Sequence, residues 1–429
     1  MKPVLIRLAA SLPIVLLLAS CSRETAEQRL ERKARKLHAS ILNMDSHVDT
    51  PLNLLRKGWK IGERHEWDKA GGGRLDLPRM EEASLDAVFF AAFVSQGNLD
   101  LAGFRGSKLK ADELIRLTRF VAVEHPEKAR IAFTPKDVEE CMKVKKPAIL
   151  IGLENGYPIG KDISLLSHYY QRGVRYVTLC HMENNQICDS STDPGKARWQ
   201  GLSPFGDQVV RVMNRLGMLI DLSHASDSTF YDVLKITKTP VIASHSCCRA
   251  VYDHPRNLSD DMLLALARNG GVVQINLCSF YLKEISKNPK REEALKALRA
   301  RYGKYMSITD DSKREQYIVR YHEIDRRFPE DLAAVEDLVG HIDHAVQVAG
   351  IDHVGIGSDF DGGAVLSDFR DVSQMHRITM ELMRRGYKKD AIRKIWGENF
   401  MRVFREVQDY PQKVQKAALL QDGSKGKNP

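Results

Sequence analysis

Short apolar runs alternate with segments of helical spacing along most of the 429-residue chain. Near-continuous runs of Val, Ile and Leu are typical of strands in a parallel sheet that is buried on both faces, and their alternation with helices is typical of βα units. Eight such runs occur, at residues 41–44, 87–94, 148–153, 174–179, 218–222, 241–243, 272–277 and 354–356. The pattern therefore predicts an α/β fold, a (β/α)8 barrel of the TIM type, with its active site at the carboxyl ends of the strands.

One connection between the predicted strands is unusually long. Residues 281–331 are charged and rich in helix-forming residues, which predicts a helical insertion before the last strand. This segment is compatible both with a functional lid and with a surface insertion that has no role at the active site. We assign residues 37–410 to one barrel domain, 21–36 to a polar tether and 411–429 to a disordered tail.

The first 20 residues have the pattern of a secretory signal peptide. Lys2 and Arg7 precede an apolar run at 8–18, which is too short to span a bilayer, and small residues follow it. The ending Leu-Ala-Ser-Cys resembles a bacterial lipobox, which implies that Cys21 becomes the lipid-modified first residue of the mature protein. An ordinary signal peptide with an incidental cysteine is the alternative. We expect a lipid-anchored protein of the bacterial cell envelope, facing the periplasm or the cell surface.

The formal net charge of +9 is unevenly distributed. Residues 22–36, 281–331 and 411–429 each carry a net charge of +3, and the barrel itself is near neutral. Because nucleic-acid binding requires a concentrated basic face, we predict no nucleic-acid partner. The cysteines show no CxxC spacing, which argues against a zinc ribbon and a CxxC redox motif.

Polar residues of metal-binding type follow six of the eight predicted strands. One such residue is ordinary, but six at the end where barrel enzymes hold their sites indicate a metal centre. The residues are His47, Asp49, Glu154, His181, His224, His245 and Asp359. Nitrogen and oxygen donors of this kind favour zinc over calcium or magnesium. Their number favours two ions that share a carboxylate.

Six stretches of the sequence are together similar to the membrane (renal-type) dipeptidases, a branch of the amidohydrolase-like metal barrels. They read MDSHVDTPLNLL, GLENG, GVRYVTLCHMENN, GMLIDLSHAS, ASHSCCRAVYDHPRNLSDDML and VGIGSDFDG. The similarity extends over roughly residues 41–404, apart from the long insertion, and the N-terminus resembles that of a bacterial lipoprotein.

The resemblance implies a zinc-dependent dipeptidase, in which a hydroxide shared by two Zn2+ ions attacks the peptide bond of a free dipeptide. The metal-binding residues that it implies are His47, Asp49, Glu154, His224 and His245, with Glu154 bridging both ions. His181 would contact the substrate carbonyl or the oxyanion, Arg256 the C-terminal carboxylate, and Asp359 would carry the proton. The family also suggests a homodimer.

Two other hypotheses remain at this point. A related amidohydrolase acting on N-acyl amino acids or lactams can use the same binuclear site, because fold and metals do not fix the substrate. The second hypothesis is a lipid-anchored binding protein with an enzyme fold that has lost its activity, although every catalytic position still carries a residue able to fill its role. His341 and His344, three apart on a predicted helix, precede a strand and are expected to pack rather than to bind metal.

Overall fold

Eight parallel strands curve into a nearly closed barrel. The computed structural model describes residues 24–69, 71–303, 305, 308 and 310–425, with side chains up to 416 except that of residue 311. The strands are β1 Met44–Val48, β2 Ala87–Phe93, β3 Arg130–Ile131, β4 Ala148–Glu154, β5 Val174–Thr178, β6 Leu219–Asp221, β7 Ile242–Ser246, β8 Val272–Ile275 and β9 Val354–Ile356. The barrel order is β1-β2-β4-β5-β6-β7-β8-β9, and the two-residue β3 pairs with β4 outside this path.

The barrel closes where its first strand meets the segment after its last. Val48 forms a parallel bridge with Phe360, and the Asp359 N–H donates to the His47 carbonyl at 2.9 Å. The predicted (β/α)8 fold is therefore confirmed. Its first strand was placed too early, because β1 begins only at the last residue of the apolar run 41–44 and contains the polar residues that follow.

Helices surround the barrel. They are α1 Ala26–His38, α2 Pro51–Leu54, α3 Leu77–Glu82, α4 Leu101–Glu124, α5 Pro135–Lys143, α6 Leu165–Gln171, α7 Pro204–Leu216, α8 Asp227–Ile236, α9 Asp260–Arg268, α10 Ser279–Leu282, α11 Pro289–Tyr302, α12 Asp311–Arg327, α13 Val335–Ala349, α14 His376–Arg384, α15 Lys389–Arg393 and α16 Asn399–Lys425. None of the helices within these described residues combines the length and the apolarity needed to cross a bilayer.

The end of the barrel opposite the strand carboxyl ends is filled by aromatic side chains. Phe89 of β2 packs against Tyr176 of β5 with 5.0 Å between ring centroids, and against Phe400 and Phe404 of α16 at 5.4 and 6.1 Å. All four are fully buried. Since this end is closed by packing, the open mouth of the barrel lies at the other end, where the metal-type residues stand.

Both termini of the described chain are helical. Residues 26–36, predicted as part of a tether, lie in α1, whose Glu27 pairs with Arg384 of α14 at 2.6 Å. His38 at the end of α1 is buried against Thr379 of α14. The segment predicted as a tether is therefore helical over these residues, and one face of the helix docks on the domain. The signal segment and Cys21 lie outside the described residues.

Residues 411–425, which belong to the segment predicted as a disordered tail, lie in a helix. The helix α16 passes through Pro411 and ends at Lys425. Its first turns are anchored by buried residues such as Val403 and Val407, and the Gln, Lys, Ala and Leu residues that follow favour continued helix. A helix that is already nucleated adds residues at little cost, which sequence composition alone does not reveal.

The insertion before β9 is a helical pair. Helices α11 and α12 enclose a small apolar cluster of Leu298, Ile308 and Tyr317. Buried Arg291 binds Asp325 at 2.6 Å and Glu330 at 3.1 Å, which fixes one helix to the other. The ring of His322 meets Trp67 of the β1–β2 connection edge-on, at 5.5 Å between centroids. The insertion therefore stands beside the barrel mouth.

Candidate active site

The predicted metal ligands converge at the barrel mouth around one carboxylate. Glu154, the last residue of β4, is 2% exposed. Its Oε2 lies 3.4 Å from the His47 Nε2, on one side of the site. Its Oε1 faces the Nε2 atoms of His181, His224 and His245 at 3.7, 3.3 and 3.6 Å. Each oxygen of Glu154 therefore faces its own imidazole or set of imidazoles.

Two further carboxylates, those of Asp49 and Asp359, lie next to His47. Single ligand atoms of His47, Asp49 and Asp359 all lie within 4.8 Å of one another. The loop after β9 passes directly over these carboxylates, since a Cβ on Gly362 would lie 2.0 Å from the Asp49 Oδ2 and 2.2 Å from the Asp359 Oδ1. Glycine is therefore required at position 362 if both carboxylates are to stay in place.

These residues fit divalent metal ions. The described residues contain three ligand groups of metal-binding size, which overlap at Glu154 and His47. Three buried ligand atoms, the His47 Nε2, the Asp49 Oδ1 and the Glu154 Oε2, have no hydrogen-bond partner. Burying such atoms without a partner is costly, and a cation between them would satisfy all three.

The electrostatics of the cluster are those of closely packed, buried carboxylates and imidazoles, which a bound cation would stabilise. Burial together with the Glu154 charge holds the pKa of Asp49 well above its usual range. The Glu154 carboxylate raises the pKa of His47 to about 10 despite the opposing effect of burial. Burial lowers the pKa of His224 and of His245 well below the usual value, which keeps both imidazoles neutral and able to donate a lone pair.

Hydrogen bonds orient two of these imidazoles so that Nε2 faces the cluster. The His47 Nδ1 meets the Tyr176 hydroxyl at 2.8 Å, and the His245 Nδ1 meets the Ser244 hydroxyl at 2.8 Å. Ser244 in turn donates to Asp221 at 2.6 Å. Because the Ser244 hydroxyl donates to Asp221, it accepts from the His245 Nδ1, which leaves the Nε2 lone pair of that imidazole free for a metal. The Tyr176 hydroxyl fixes the orientation of the His47 ring.

The backbone at two of the site residues is held in the left-handed region. His224 has φ of 69° and Asp359 has φ of 65°. Hydrogen bonds hold both: the His224 carbonyl accepts from Ser191, and the Asp359 carbonyl accepts from the N–H groups of Gly362 and Gly363. Such strain in residues other than glycine is typical of functional positions, where the surrounding structure enforces a side-chain direction.

Arg256 is a buried cation without an acidic partner among the described residues. Its Nη1 donates to the Ser246 hydroxyl and its Nη2 to the His245 carbonyl, both at 2.8 Å, while its Nε has no partner. Only 2% of the residue is exposed. Because a buried guanidinium is expensive without a counter-charge, this position is suited to receiving an anion.

His181 is the most accessible imidazole of the cluster. Its side chain is 23% exposed, against 4% or less for those of His47, His224 and His245. Its ring packs on Phe93 at the end of β2, with 4.6 Å between centroids. The imidazole thus stands at the open side of the cluster, where an incoming ligand would arrive.

The sequence analysis missed three residues that support the site. Tyr176 lies inside a strand and gave no signal, and Ser244 was overlooked next to a ligand. Asn276 directly follows β8 and donates to the Asp359 Oδ2 at 3.2 Å. The rule that found the other strand-end residues would also have found Asn276.

Three further residues of metal-binding type, His341, His344 and Asp361, make contacts that stabilise the fold. His341 is buried between the Leu282 carbonyl and the Cys248 N–H, and His344 pairs with Asp260 at 2.7 Å, so both pack away from the metal groups. Asp361 accepts from the Thr50 hydroxyl and the Arg74 N–H, and thereby orders the loop after β9.

Comparison with known proteins agrees with this geometry. The sequence model of the family described as "Membrane dipeptidase (Peptidase family M19)" matches residues 31–418. The chain belongs to the membrane dipeptidase family. As a member of this metallopeptidase family, it is a peptidase whose His/Glu/Asp cluster implies metal cofactors.

Relatives of this family member are similar over most of their length. Dipeptidase tcpJ of Claviceps purpurea is 31% identical over 85% of this chain and 77% of its own length. Dipeptidase verJ of Clonostachys rogersoniana is 30% identical over 89% of this chain and 88% of its own length. The crystal structure of the probable dipeptidase PvdM from Pseudomonas aeruginosa is 31% identical, with a TM-score of 0.75, over 89% of this chain and 99% of that one. A metallo peptidase from Rhodobacter sphaeroides, liganded with a phosphinate mimic of the dipeptide L-Ala-D-Ala, shares the fold with a TM-score of 0.68. It is 23% identical, and the match covers 86% of this chain and 99% of that one.

Proposed function

We propose that this chain is a binuclear zinc dipeptidase that hydrolyses the peptide bond of free dipeptides. The observation that carries the proposal is the position of Glu154, whose two oxygens face His47 on one side and His224 with His245 on the other. A carboxylate between two sets of nitrogen donors is the arrangement that two zinc ions share.

The metal ligands would be His47 and Asp49 for one ion, His224 and His245 for the other, and Glu154 for both. When bound, such ions lower the pKa of water and polarise a carbonyl oxygen. Nitrogen donors with carboxylates favour zinc over the harder cations. Ser244 would keep the His245 imidazole in the ligating tautomer, and Tyr176 would hold the orientation of the His47 ring.

The protein's own residues account for binding and proton transfer. Arg256 would hold the C-terminal carboxylate of the dipeptide and so gain its missing counter-charge. His181, at the open side, would donate to the oxygen of the scissile carbonyl as negative charge develops on it. Asp359 would accept the proton of the attacking water and deliver it to the departing amine. The bond from Asn276 to its Oδ2 leaves the Oδ1 to carry that proton.

Substrates with a free carboxylate next to the scissile bond are favoured by this arrangement. A short peptide fits because its two ends are near the bond that breaks. We also propose lipid attachment at Cys21, which would hold the enzyme at the cell envelope, and association of two copies. The Leu-Ala-Ser-Cys sequence supports the first, and the family resemblance supports the second.

The test combines metal analysis with a substrate panel. We expect about two zinc ions per chain and hydrolysis of dipeptides by the wild type, with both metal content and activity reduced in His224→Ala. His344→Ala is the matched control, because His344 pairs with Asp260 away from the site. Arg256→Ala should raise the KM for dipeptides.

Three results would contradict the proposal, and each in a different way. Two zinc ions with turnover only of N-acyl amino acids or lactams would move the chain to another amidohydrolase reaction. Bound zinc with no turnover of any amide would refute the enzyme. Absence of zinc from folded protein would refute the metal centre and favour a binding protein.

A further inference from the structure

A large cavity lies between the insertion and the loop after β9, whose Gly362 lines it and packs on the Asp49 and Asp359 carboxylates. It has a volume of about 1430 Å³ and is lined by α11, α12, the β1–β2 connection and the loop after β9. Ligand pockets in proteins usually measure about 300–1,000 Å³. The space above the active site therefore exceeds what a dipeptide backbone needs.

The charged residues that line this cavity are predominantly cationic. Nine Lys and Arg residues line it, against four Asp and Glu residues. The carboxylates are largely engaged: Asp325 and Glu330 bind Arg291, and Asp361 accepts from Thr50 and Arg74. The cavity therefore carries excess positive charge, which attracts anionic groups toward the site.

Lys110 of α4 is a cation of the cavity lining that stands next to the residues of the site. Its Nζ lies 5.8 Å from the centroid of the Phe93 ring, and His181 packs on the same ring. The side chain is half-buried and has no hydrogen bond or ion pair with any residue that the structure describes. Burial lowers the pKa of its ammonium group, and Asp49 is the carboxylate that attracts it. A metal on Asp49 would neutralise that attraction and leave Lys110 without a counter-charge.

The barrel topology places Lys110 across the mouth from Arg256. Helix α4 follows β2, which is second in the barrel order, whereas Arg256 follows β7, which is sixth. Positions second and sixth in a ring of eight are opposite. A dipeptide whose C-terminal carboxylate binds Arg256 would extend past the metal cluster and direct its amino-terminal residue toward Lys110.

We propose that Lys110, backed by the cationic cavity wall, selects dipeptides whose amino-terminal residue carries a negatively charged side chain. This inference rests on the proposed dipeptidase function and specifies its substrate class. A charge-assisted hydrogen bond in a partly desolvated site gives a preference of about tenfold or more over the neutral isostere.

The test compares isosteric substrates within each protein. We would measure kcat/KM for L-Glu-L-Ala and L-Gln-L-Ala with the wild type, Lys110→Met, Lys110→Arg and Lys108→Met. The ratio of the two values is internal to each preparation and does not depend on the fraction folded. Lys108 lies on the same helix but is paired with Asp112 at 2.6 Å, so its variant is the matched control.

We expect the wild type, Lys110→Arg and Lys108→Met to favour L-Glu-L-Ala about tenfold, and Lys110→Met to show a ratio near one. Added salt should reduce the wild-type ratio, because the cavity is open to solvent. Equal wild-type rates, or a preference that persists in Lys110→Met, would overturn the assignment. A preference for L-Ala-L-Glu over L-Ala-L-Gln, without one for L-Glu-L-Ala, would refute the orientation. Failure to cleave even L-Ala-L-Ala would instead refute the dipeptidase function on which the inference rests.

Discussion

Replacing Tyr176 with Phe isolates one hydrogen bond at the metal site. The Tyr176 oxygen and the His47 Nδ1 are 2.8 Å apart, and both residues are fully buried. Water therefore has no access to replace the lost partner, and the His47 Nδ1 would remain unsatisfied at a cost of about 1–3 kcal/mol. Removal of the partner that orients a metal-binding histidine lowers metal affinity about 10–100-fold.

The assay is zinc affinity by competition with a chromogenic chelator, together with thermal unfolding of the metal-free protein. We expect Tyr176→Phe to weaken zinc binding by that factor. Tyr169→Phe is the control, because Tyr169 is equally buried and donates to the Pro158 carbonyl at 3.3 Å, outside the metal cluster. If both variants lose stability alike and both bind zinc as the wild type does, the Tyr176 hydroxyl does not orient His47.

Three further predictions concern packing, pH and the insertion. Gly152→Ala would place a methyl group 2.1 Å from the Tyr176 ring, so we expect a loss of about 1–3 kcal/mol in urea unfolding; Gly106→Ala, with open space around it, should lose nothing. Burial raises the pKa of Asp86 to about 6, so its contribution to stability falls as pH rises from about 4 through about 6. Asp86→Asn should therefore be more stable than wild type by about 1–3 kcal/mol at pH 7.5 and lose most of that advantage at pH 4.5; an equal advantage at both pH values would contradict the burial argument. Arg291→Met removes the cation that Asp325 and Glu330 share, and limited proteolysis should then cut faster within residues 281–331. Arg320→Met, which removes an exposed pair with Glu323, should stay resistant.

Strand-end positions made much of the site predictable. Glu154 ends an apolar run and His224 closely follows one, and the parallel topology brings such positions to one rim whatever their separation in sequence. The contact between Tyr176 and His47 joins residues 129 apart and depends on how two strands are placed in the closed barrel. Lys110 was equally hidden, because one lysine on a charged helix is ordinarily a solvated residue.

Docking of elements on the barrel exterior was the least predictable aspect. The residues of α1 are mostly polar, and only Ala34 and His38 are buried. Its capping box of Thr25 and Gln28 indicates a helix but not the surface on which that helix lies. The partner α14 is encoded more than 300 residues later, so no local pattern could reveal the contact.

The junction between β1 and the segment after β9 fixes the order in which activity can arise. His47 and Asp359 are joined by a backbone hydrogen bond, and Thr50 is joined to Asp361 across 311 residues of chain. Contacts of such sequence separation form late, since a long loop must close before they contribute. A growing chain would hold the histidines of the middle strands long before the last carboxylate has been synthesised. The complete set of reacting residues is therefore a product of barrel closure, and the onset of dipeptide hydrolysis, which under the proposed function needs Asp359, would report that the final strand has been added.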